Sequence, residues 1–137
     1  MLLLAMPLGP VLGGNTEHEA RQAALTFGSA LTGADASSIR PLLPSEGKIQ
    51  LTLDRLGPER GHFSPHQVEA LLGDFLAQGT VRAFEILRLE CEGSLALVHG
   101  EASLIDRRGR RARVEIHLAF RSDGESWQLR EIRELSP

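Results

Sequence analysis

Two histidines and two glutamates have a spacing that could bind a divalent metal. If two consecutive segments of the chain pair as antiparallel strands joined by a three-residue loop, His99 lies opposite His117 and Glu101 lies opposite Glu115. Opposed Cβ atoms in such a ladder are ~5 Å apart. Imidazole nitrogen and carboxylate oxygen are ligands of zinc and similar ions. These four residues are the metal candidates that the sequence offers.

The same residues also fit an ordinary polar sheet face. Arg88, Arg113 and Arg130 are close enough in the predicted sheet to pair with the acids, in exposed ion pairs that contribute little stability. We prefer this interpretation and expect no bound metal and no cofactor.

Other reactive side chains give weaker signals. Asp54 and Asp74 are acids that could lie at the mouth of a cavity, although Asp74 falls off the apolar stripe of its predicted helix. Cys91 is flanked by two glutamates, whose charge would raise the pKa of its thiol. His62 and His66 have no Ser, Cys or acid at a triad spacing and are interpreted as surface residues.

Five arginines crowd one predicted hairpin tip, and their charge could contact phosphate, acidic lipid or an acidic partner. They are Arg107, Arg108, Arg110, Arg111 and Arg113. Without aromatic platforms or an overall basic charge, we expect no specific nucleic-acid binding. The alternative is a solvated tip whose charge prevents edge pairing.

Alternating residues predict the strands that position these side chains. In segment 110–121 the even-numbered residues from 112 to 120 are apolar, and in segment 95–106 those from 96 to 104 are small and apolar. One face of the sheet is therefore buried and the other faces solvent. Both even sets share the buried face if a three-residue loop, Arg107-Arg108-Gly109, joins the strands with Gly109 in the left-handed conformation of a bulged turn.

The next hairpin is predicted to have a shorter turn. Its sequence Ser122-Asp123-Gly124-Glu125 contains an Asp-Gly pair suited to a two-residue type I′ turn, which places Phe120 opposite Trp127. Farther along the last strand the alternation slips by one residue. We therefore expect a β-bulge near Arg130 and Glu131.

Helices precede this sheet. Thr16 is predicted to begin a helix that Gly33 ends, and Asp35 is predicted to cap a shorter helix through Ile39. Segment 48–54 alternates as a strand covered on one face only. Segment 56–62 is predicted to be a loop.

The start of the third helix is the strongest local signal. Ser64 is suited to the N-cap, Pro65 to the first helical position, and Gln67 to the reciprocal bond of a capping box. An apolar stripe follows, and Gly79 is predicted to end the helix.

Composition indicates one domain, over 16–137. A chain of 137 residues can bury a core without disulfides or metal, and a single cysteine excludes an internal disulfide. The net charge of -3 gives no general attraction to nucleic acid or anionic membranes.

The first fifteen residues are apolar and too short to span a bilayer. They are either a signal peptide that lacks its basic start or a poorly ordered tail. We expect export to the periplasm or cell envelope, with a cytoplasmic location as the alternative, and no transmembrane segment.

Several stretches are similar to a known family. They are the helix SPHQVEALLGDFL with Ser64, Gln67, Glu69, Leu72, Asp74 and Phe75, the strand residues Gly100, Gly109, Arg113, Val114, Ile116 and Leu118, and the terminal WQLREIREL. Over about 20–135 the chain resembles the nuclear-transport-factor-2-like (cystatin-like) superfamily, and within it a small bacterial domain family of unknown function. The resemblance implies an α+β cone of three helices on a strongly curved antiparallel sheet. It also implies a frequent secretion signal and pairing of two chains through the outer sheet face, but no catalytic residue.

A cone of this kind places a cavity between sheet and helices. We expect its lining to be apolar, from Phe27, Leu72, Phe75, Val98, Val114, Ile116, Leu118, Phe120 and Trp127. No group among them can act as acid, base or oxyanion donor, and the chain has no Tyr.

The sequence therefore predicts a non-catalytic binding or interaction module. Its partner would be a hydrophobic small ligand, another protein, or a second copy of the chain that packs on Leu95, Leu97 and Ala119 of the outer sheet face. The alternative is an isomerase, dehydratase or hydrolase that uses acids at the cavity mouth.

Overall fold

The computed structural model describes residues 8–54, 60–106 and 108–135. Its elements are, in chain order, helix α1 (Leu8–Thr32), a 3-10 helix (Ala36–Leu42), strands β1 (Ile49–Thr52) and β2 (Arg60–Phe63), helix α2 (Pro65–Leu76), and strands β3 (Thr80–Glu92), β4 (Leu95–Ile105), β5 (Arg111–Ser122) and β6 (Trp127–Leu135). The predicted class, α+β with three helices and a sheet, is confirmed.

The six strands of the described residues form one sheet in the order β2-β1-β6-β5-β4-β3. Strands β3 to β6 are the predicted antiparallel meander, but β1 joins β6 in parallel, so the sheet is mixed. The predicted loop 56–62 is wrong where it overlaps β2, and its residues 56–59 lie outside the described part of the chain. Strand β2 is short, at the sheet edge, and only partly covered, so it has no apolar alternation from which to predict it.

The β4–β5 register is as predicted. His99 pairs with His117, and Gly109 has a φ of 78°, in the left-handed region. The Oδ1 atom of Asp106 accepts hydrogen bonds from the backbone N–H groups of Arg108 and Arg110, at 2.8 and 2.9 Å. These bonds stabilise the turn between β4 and β5. Arg107 of the predicted loop lies outside the described residues.

The β5–β6 turn is longer than predicted. Ser122 pairs with Trp127, which leaves a four-residue loop, and Phe120 lies opposite Leu129 rather than Trp127. The Oδ1 atom of Asp123 accepts hydrogen bonds from the backbone N–H groups of Glu125 and Ser126, each at 2.9 Å. These side-chain bonds stabilise the wider loop in place of a two-residue type I′ turn.

The predicted bulge in β6 is confirmed. Ala119 pairs with Glu131 and Phe120 with Leu129, so Arg130 has no partner across the ladder. The extra residue returns the apolar side chains to the buried face, where Leu129 is fully buried and Ile132 is 4% exposed.

The helix starts are partly as predicted. Helix α1 begins at Leu8, so the predicted start at Thr16 is wrong, and residues 1–7 of the predicted leader lie outside the described part of the chain. Asp35 caps the 3-10 helix through a bond from the N–H of Ser37. Ser64 and Gln67 form the predicted capping box of α2.

A single apolar core lies between the helices and one face of the sheet. Phe27 of α1 and Phe84 of β3 meet edge to face, with ring centroids 6.0 Å apart. None of the helices within the described residues is both long and apolar enough to cross a membrane.

Candidate functional site

The interior of the sheet and helices is nearly filled. Of the predicted lining, Phe27, Leu72 and Phe75 border a hollow of about 20 Å³, together with other apolar residues of α1, α2, β1 and β6. That volume holds about one water molecule, whereas ligand cavities are on the order of 300–1,000 Å³. The other predicted lining residues do not border this hollow and are buried in the core: Val98, Val114, Ile116, Leu118, Phe120 and Trp127.

The interior also offers no acid or base. Among the described residues, no charged or polar residue is buried. Asp54 and Asp74, the acids considered for a cavity mouth, are exposed, and neither borders the hollow. The backbone N–H of Asp54 donates to the Glu134 carboxylate at 3.1 Å.

The four metal candidates share the outer sheet face, as the register requires. His99 Nε2 lies 2.6 Å from Glu115 Oε1, and Glu101 lies across from Glu115 in the ladder. Within the described part of the chain, no group of three or more His, Cys, Asp and Glu side chains is arranged to hold a metal. The contact makes a histidine–carboxylate pair rather than a ligand cluster.

His117 is the most constrained residue of this face. Its Nδ1 atom is buried and has no hydrogen-bond partner among the described residues. Burial lowers the pKa of His117, and the nearby positive charge of Arg133 lowers it further, against the opposite effect of Glu131. The side chain therefore favours the neutral form.

One end of the outer face carries a small apolar patch. Leu95 and Leu97 of β4 are half-buried there, and Ala119 of β5 is 8% exposed. We call these three residues the leucine patch. The ladder places Glu92 on one side of Leu95 and Arg121 on the other, so opposite charges flank this rung of the patch. The rung of Leu97 and Ala119 lies between Glu90 and Glu131.

The other end of the outer face holds a larger concavity of about 600 Å³, which we call the arginine pocket. It is lined by Arg82, Ser103, Leu104, Ile105, Arg111, Ala112 and Arg113. Arg111 and Arg113 belong to the predicted cluster at the hairpin tip. Arg108 and Arg110 of that cluster instead border a second groove, of about 290 Å³, beside Phe75.

The sequence did not single out Arg82 as part of this cluster. It lies at a β-bulge of β3, where Val81 pairs with Leu104 and Ala83 pairs with Ser103. The extra residue has no partner across the ladder, and its exposed side chain joins the two arginines of β5 at the same end of the sheet. A break in the alternation of β3, which indicates a bulge, was the sequence signal that could have revealed the position of Arg82.

Three reactive residues remain from the sequence analysis: His62, His66 and Cys91. His62 and His66 are exposed, as predicted. The pKa of Cys91 is raised, as predicted, but the causes are burial and then the charge of Glu17 on α1, not the flanking glutamates. The thiol is on the buried face of β3, opposite Ala96.

One ion pair was not predicted. Arg40 of the 3-10 helix binds Glu69 of α2 with two parallel hydrogen bonds, Nε to Oε1 at 2.9 Å and Nη2 to Oε2 at 2.8 Å. The pair raises the pKa of Arg40 and lowers the pKa of Glu69. The pair joins two helices through residues that are 29 positions apart in sequence, a separation that no local pattern reveals.

Comparison with solved structures identifies this architecture. A DUF4783 family protein from Bacteroides uniformis superposes with a TM-score of 0.67 at 13% identity, over 82% of this chain and 94% of that chain. A Streptomyces avermitilis protein from the nuclear-transport-factor-2-like family gives 0.66 at 13% identity, over 89% and 96%. The chain has the nuclear-transport-factor-2-like fold.

Proteins of this fold with other descriptions are also similar. A hypothetical protein from Catenulispora acidiphila, with a ketosteroid isomerase-like fold and in complex with trimethylamine, gives a TM-score of 0.65 at 12% identity, over 83% of this chain and 84% of that chain. No protein-family model and no curated protein matches the chain. The resemblance predicted from the sequence is therefore confirmed at the level of the nuclear-transport-factor-2-like fold.

Proposed function

We propose that this chain is a non-catalytic interaction module that acts as a twofold dimer, paired through the leucine patch on its outer sheet face. The observation that carries the proposal is the arrangement of this patch, in which half-buried Leu95 lies between the Glu92 carboxylate and the Arg121 guanidinium on neighbouring strands. Apolar centres with a charged rim are typical of modest protein interfaces.

The interior supports a binding role over catalysis. Proton transfer needs an ionisable group beside the substrate, and no charged or polar residue is buried in the described part of the chain. The hollow of about 20 Å³ also leaves little room for a hydrophobic ligand. A second copy of the chain on the outer face is therefore a better partner than a small molecule in the cone.

The charges on the two flanks determine how two copies would pack. A twofold axis in the interface, parallel to β4, places the β3 side of one copy over the β5 side of the other. Glu92 of each copy then faces Arg121 of its partner, and the leucines meet on the axis. The same surface is self-complementary, as a twofold interface requires.

Analytical ultracentrifugation over a range of concentrations tests this arrangement. We expect the wild-type chain to reach the dimer mass. Glu92→Arg and Arg121→Glu should each be monomeric at concentrations where the wild type is dimeric, because each change places like charges together across the interface.

An equimolar mixture of the two variants should form a heterodimer, since both contacts are then oppositely charged. The double variant should form a homodimer again for the same reason. Asp74→Arg makes the same change of charge on an exposed position of α2 and should leave the dimer intact. A monomeric wild type at every concentration, or charge variants that dimerise as well as the wild type, would contradict the proposal.

A further inference from the structure

The arginine pocket is built by long basic side chains around small ones. Arg113 lies directly across from Ser103, and Ala83 lies on the other side of Ser103 in the ladder. The small residues leave a depression, and Arg82 and Arg111 border it along with Arg113. Three positive charges therefore surround one cavity of about 600 Å³, a volume within the range of ligand sites.

No acid in the described part of the chain neutralises these three guanidinium groups by an ion pair. No carboxylate is among the described residues that line the pocket, and Arg82, Arg111 and Arg113 make no ion pair with any of the residues that the structure describes. The nearest acid in the turn, Asp106, accepts bonds from two backbone N–H groups through Oδ1.

The acids of the outer face nearest in register are Glu85, Glu101 and Glu115, which share the next rung of the sheet and are not among the described residues that line the pocket. The Glu115 carboxylate, one rung from Arg113, is bonded to His99 at 2.6 Å. Glu101 lies across from Glu115 and is not part of the pocket lining. The concentration of unpaired positive charge is notable in a chain whose net charge is -3.

The donors match a phosphate group better than a carboxylate. One guanidinium fork satisfies both oxygens of a carboxylate, whereas a phosphate monoester has three terminal oxygens and a second charge. The pocket offers three forks and the Ser103 hydroxyl. Ile105, which pairs with Arg111 on the same face, adds an apolar wall, against which the organic part of the ligand can pack.

We propose that the arginine pocket binds small phosphate monoesters, holding the phosphate with Arg82, Arg111 and Arg113 and the organic group against the apolar wall. This site goes beyond the proposed dimer and does not depend on it. Ser103 is six residues along β4 from Leu97, which is ~20 Å at the rise of a strand. A failure of dimerisation therefore leaves this proposal intact.

Titration with phenyl phosphate, followed by calorimetry and by backbone amide NMR, tests the site. We expect saturable binding, with shifts concentrated at residues 103–105 and 111–113. Arg113→Gln should weaken binding by about tenfold or more, because a charge-assisted bond is lost. Arg60→Gln, which removes an exposed arginine from β2 at the far edge of the sheet, should change the affinity by less than about twofold because distant charges are screened.

Two further ligands, inorganic phosphate and benzoate, test which chemical groups the pocket recognises. Acidic vesicles test whether the phosphate could instead belong to a lipid. Inorganic phosphate should bind more weakly than phenyl phosphate, and benzoate more weakly than either. Binding should weaken as the pH falls below about 6, where a phosphate monoester takes up its second proton. Vesicles that contain phosphatidic acid should bind no better than neutral vesicles.

Several results would overturn the proposal. They are the absence of saturable shifts in the pocket, an equal loss of affinity in Arg113→Gln and Arg60→Gln, benzoate binding as tight as that of phenyl phosphate, or binding to acidic vesicles alone. Circular dichroism checks that Arg113→Gln is folded. Ser103→Ala, a smaller change in the same pocket, provides a second variant that should also weaken binding.

Discussion

The ring of Phe84 occupies the space that a side chain at Gly100 would need. A Cβ atom at Gly100 would lie 2.5 Å from Cζ of Phe84 and 3.2 Å from the carbonyl oxygen of Glu85. On the other side of the ring, a Cβ atom at Gly28 of α1 would lie 2.5 Å from Cδ2 of Phe84. The ring is therefore held between α1 and β4, and it fills part of the space between helix and sheet.

This contact predicts that Gly100→Ala destabilises the protein by about 1–3 kcal/mol, the usual cost of overpacking a core. Phe84→Leu shortens the side chain, so the cost of Gly100→Ala should be smaller in that background. Chemical denaturation of the four proteins of this cycle measures the effect. Equal costs in both backgrounds would show that the ring is not the obstacle.

A glycine elsewhere provides the matched control. A Cβ atom at Gly73, inside α2, would meet only Ala36 Cβ at 3.8 Å, an ordinary contact. Gly73→Ala should therefore stabilise the protein by up to about 1 kcal/mol, because alanine is the better helix former. Destabilisation by Gly73→Ala would mean that any added methyl group is harmful.

The capping box of α2 predicts a second effect on stability. The N–H of Gln67 donates to the Ser64 hydroxyl at 3.3 Å, and the N–H of Ser64 donates to the Gln67 side chain at 2.9 Å. Ser64→Ala should lower the free energy of unfolding by about 1 kcal/mol. Thermal denaturation measures this loss, and Ser45→Ala, in an exposed turn, should cause little change. Equal effects of the two substitutions would argue against the cap.

His117 predicts a pH dependence of stability. Because its pKa in the folded protein is below the ordinary value of 6.5, the unfolded chain binds more protons between those two values. Stability should be complete above pH 6.5 and should fall as the pH drops through the folded pKa. His117→Gln should remove this part of the loss in urea denaturation measured over a pH series.

The charged neighbours of His117 give a second variant. Arg133 and Glu131 act on it from β6 and His99 acts from β4, and burial has the largest effect. Arg133→Gln should raise the pKa of His117 and so reduce the acid loss of stability. If His117→Gln loses as much stability as the wild type between neutral and mildly acidic pH, another group is responsible.

The raised pKa of Cys91 predicts that its thiol is alkylated slowly. Burial and Glu17 raise the pKa of the thiol, so less of the reactive thiolate is present at neutral pH. Mass spectrometry should show slow alkylation by iodoacetamide, with much faster reaction in denaturant. Glu17→Gln should speed the reaction of the folded protein.

The alternative cause of the raised thiol pKa is a glutamate that flanks Cys91 in sequence. Glu92 is adjacent to Cys91 but belongs to the opposite, solvent-facing side of β3. Glu92→Gln should therefore leave the alkylation rate close to that of the wild type. A larger acceleration by Glu92→Gln than by Glu17→Gln would show that the flanking glutamates raise the pKa of the thiol.

Features in which each residue depends on its near neighbours could be predicted from the amino-acid pattern alone. The even-numbered apolar residues of β4 and β5 required a three-residue loop, because a one-residue shift would have moved every side chain to the other face. The slip of the pattern in β6 required a bulge near Arg130 for the same reason. The capping box at Ser64 is a contact between residues three positions apart.

Features that depend on distant parts of the chain became visible only in the folded protein. The parallel pairing of β1 with β6, the edge strand β2 and the Arg40–Glu69 pair join segments with no shared periodicity. Arg82 joins Arg111 and Arg113 through a bulge in a different strand. The filling of the interior by Phe84 depends on Gly28 and Gly100 together. Alternation specifies which face a residue takes, but the distances between side chains on that face follow from long-range packing.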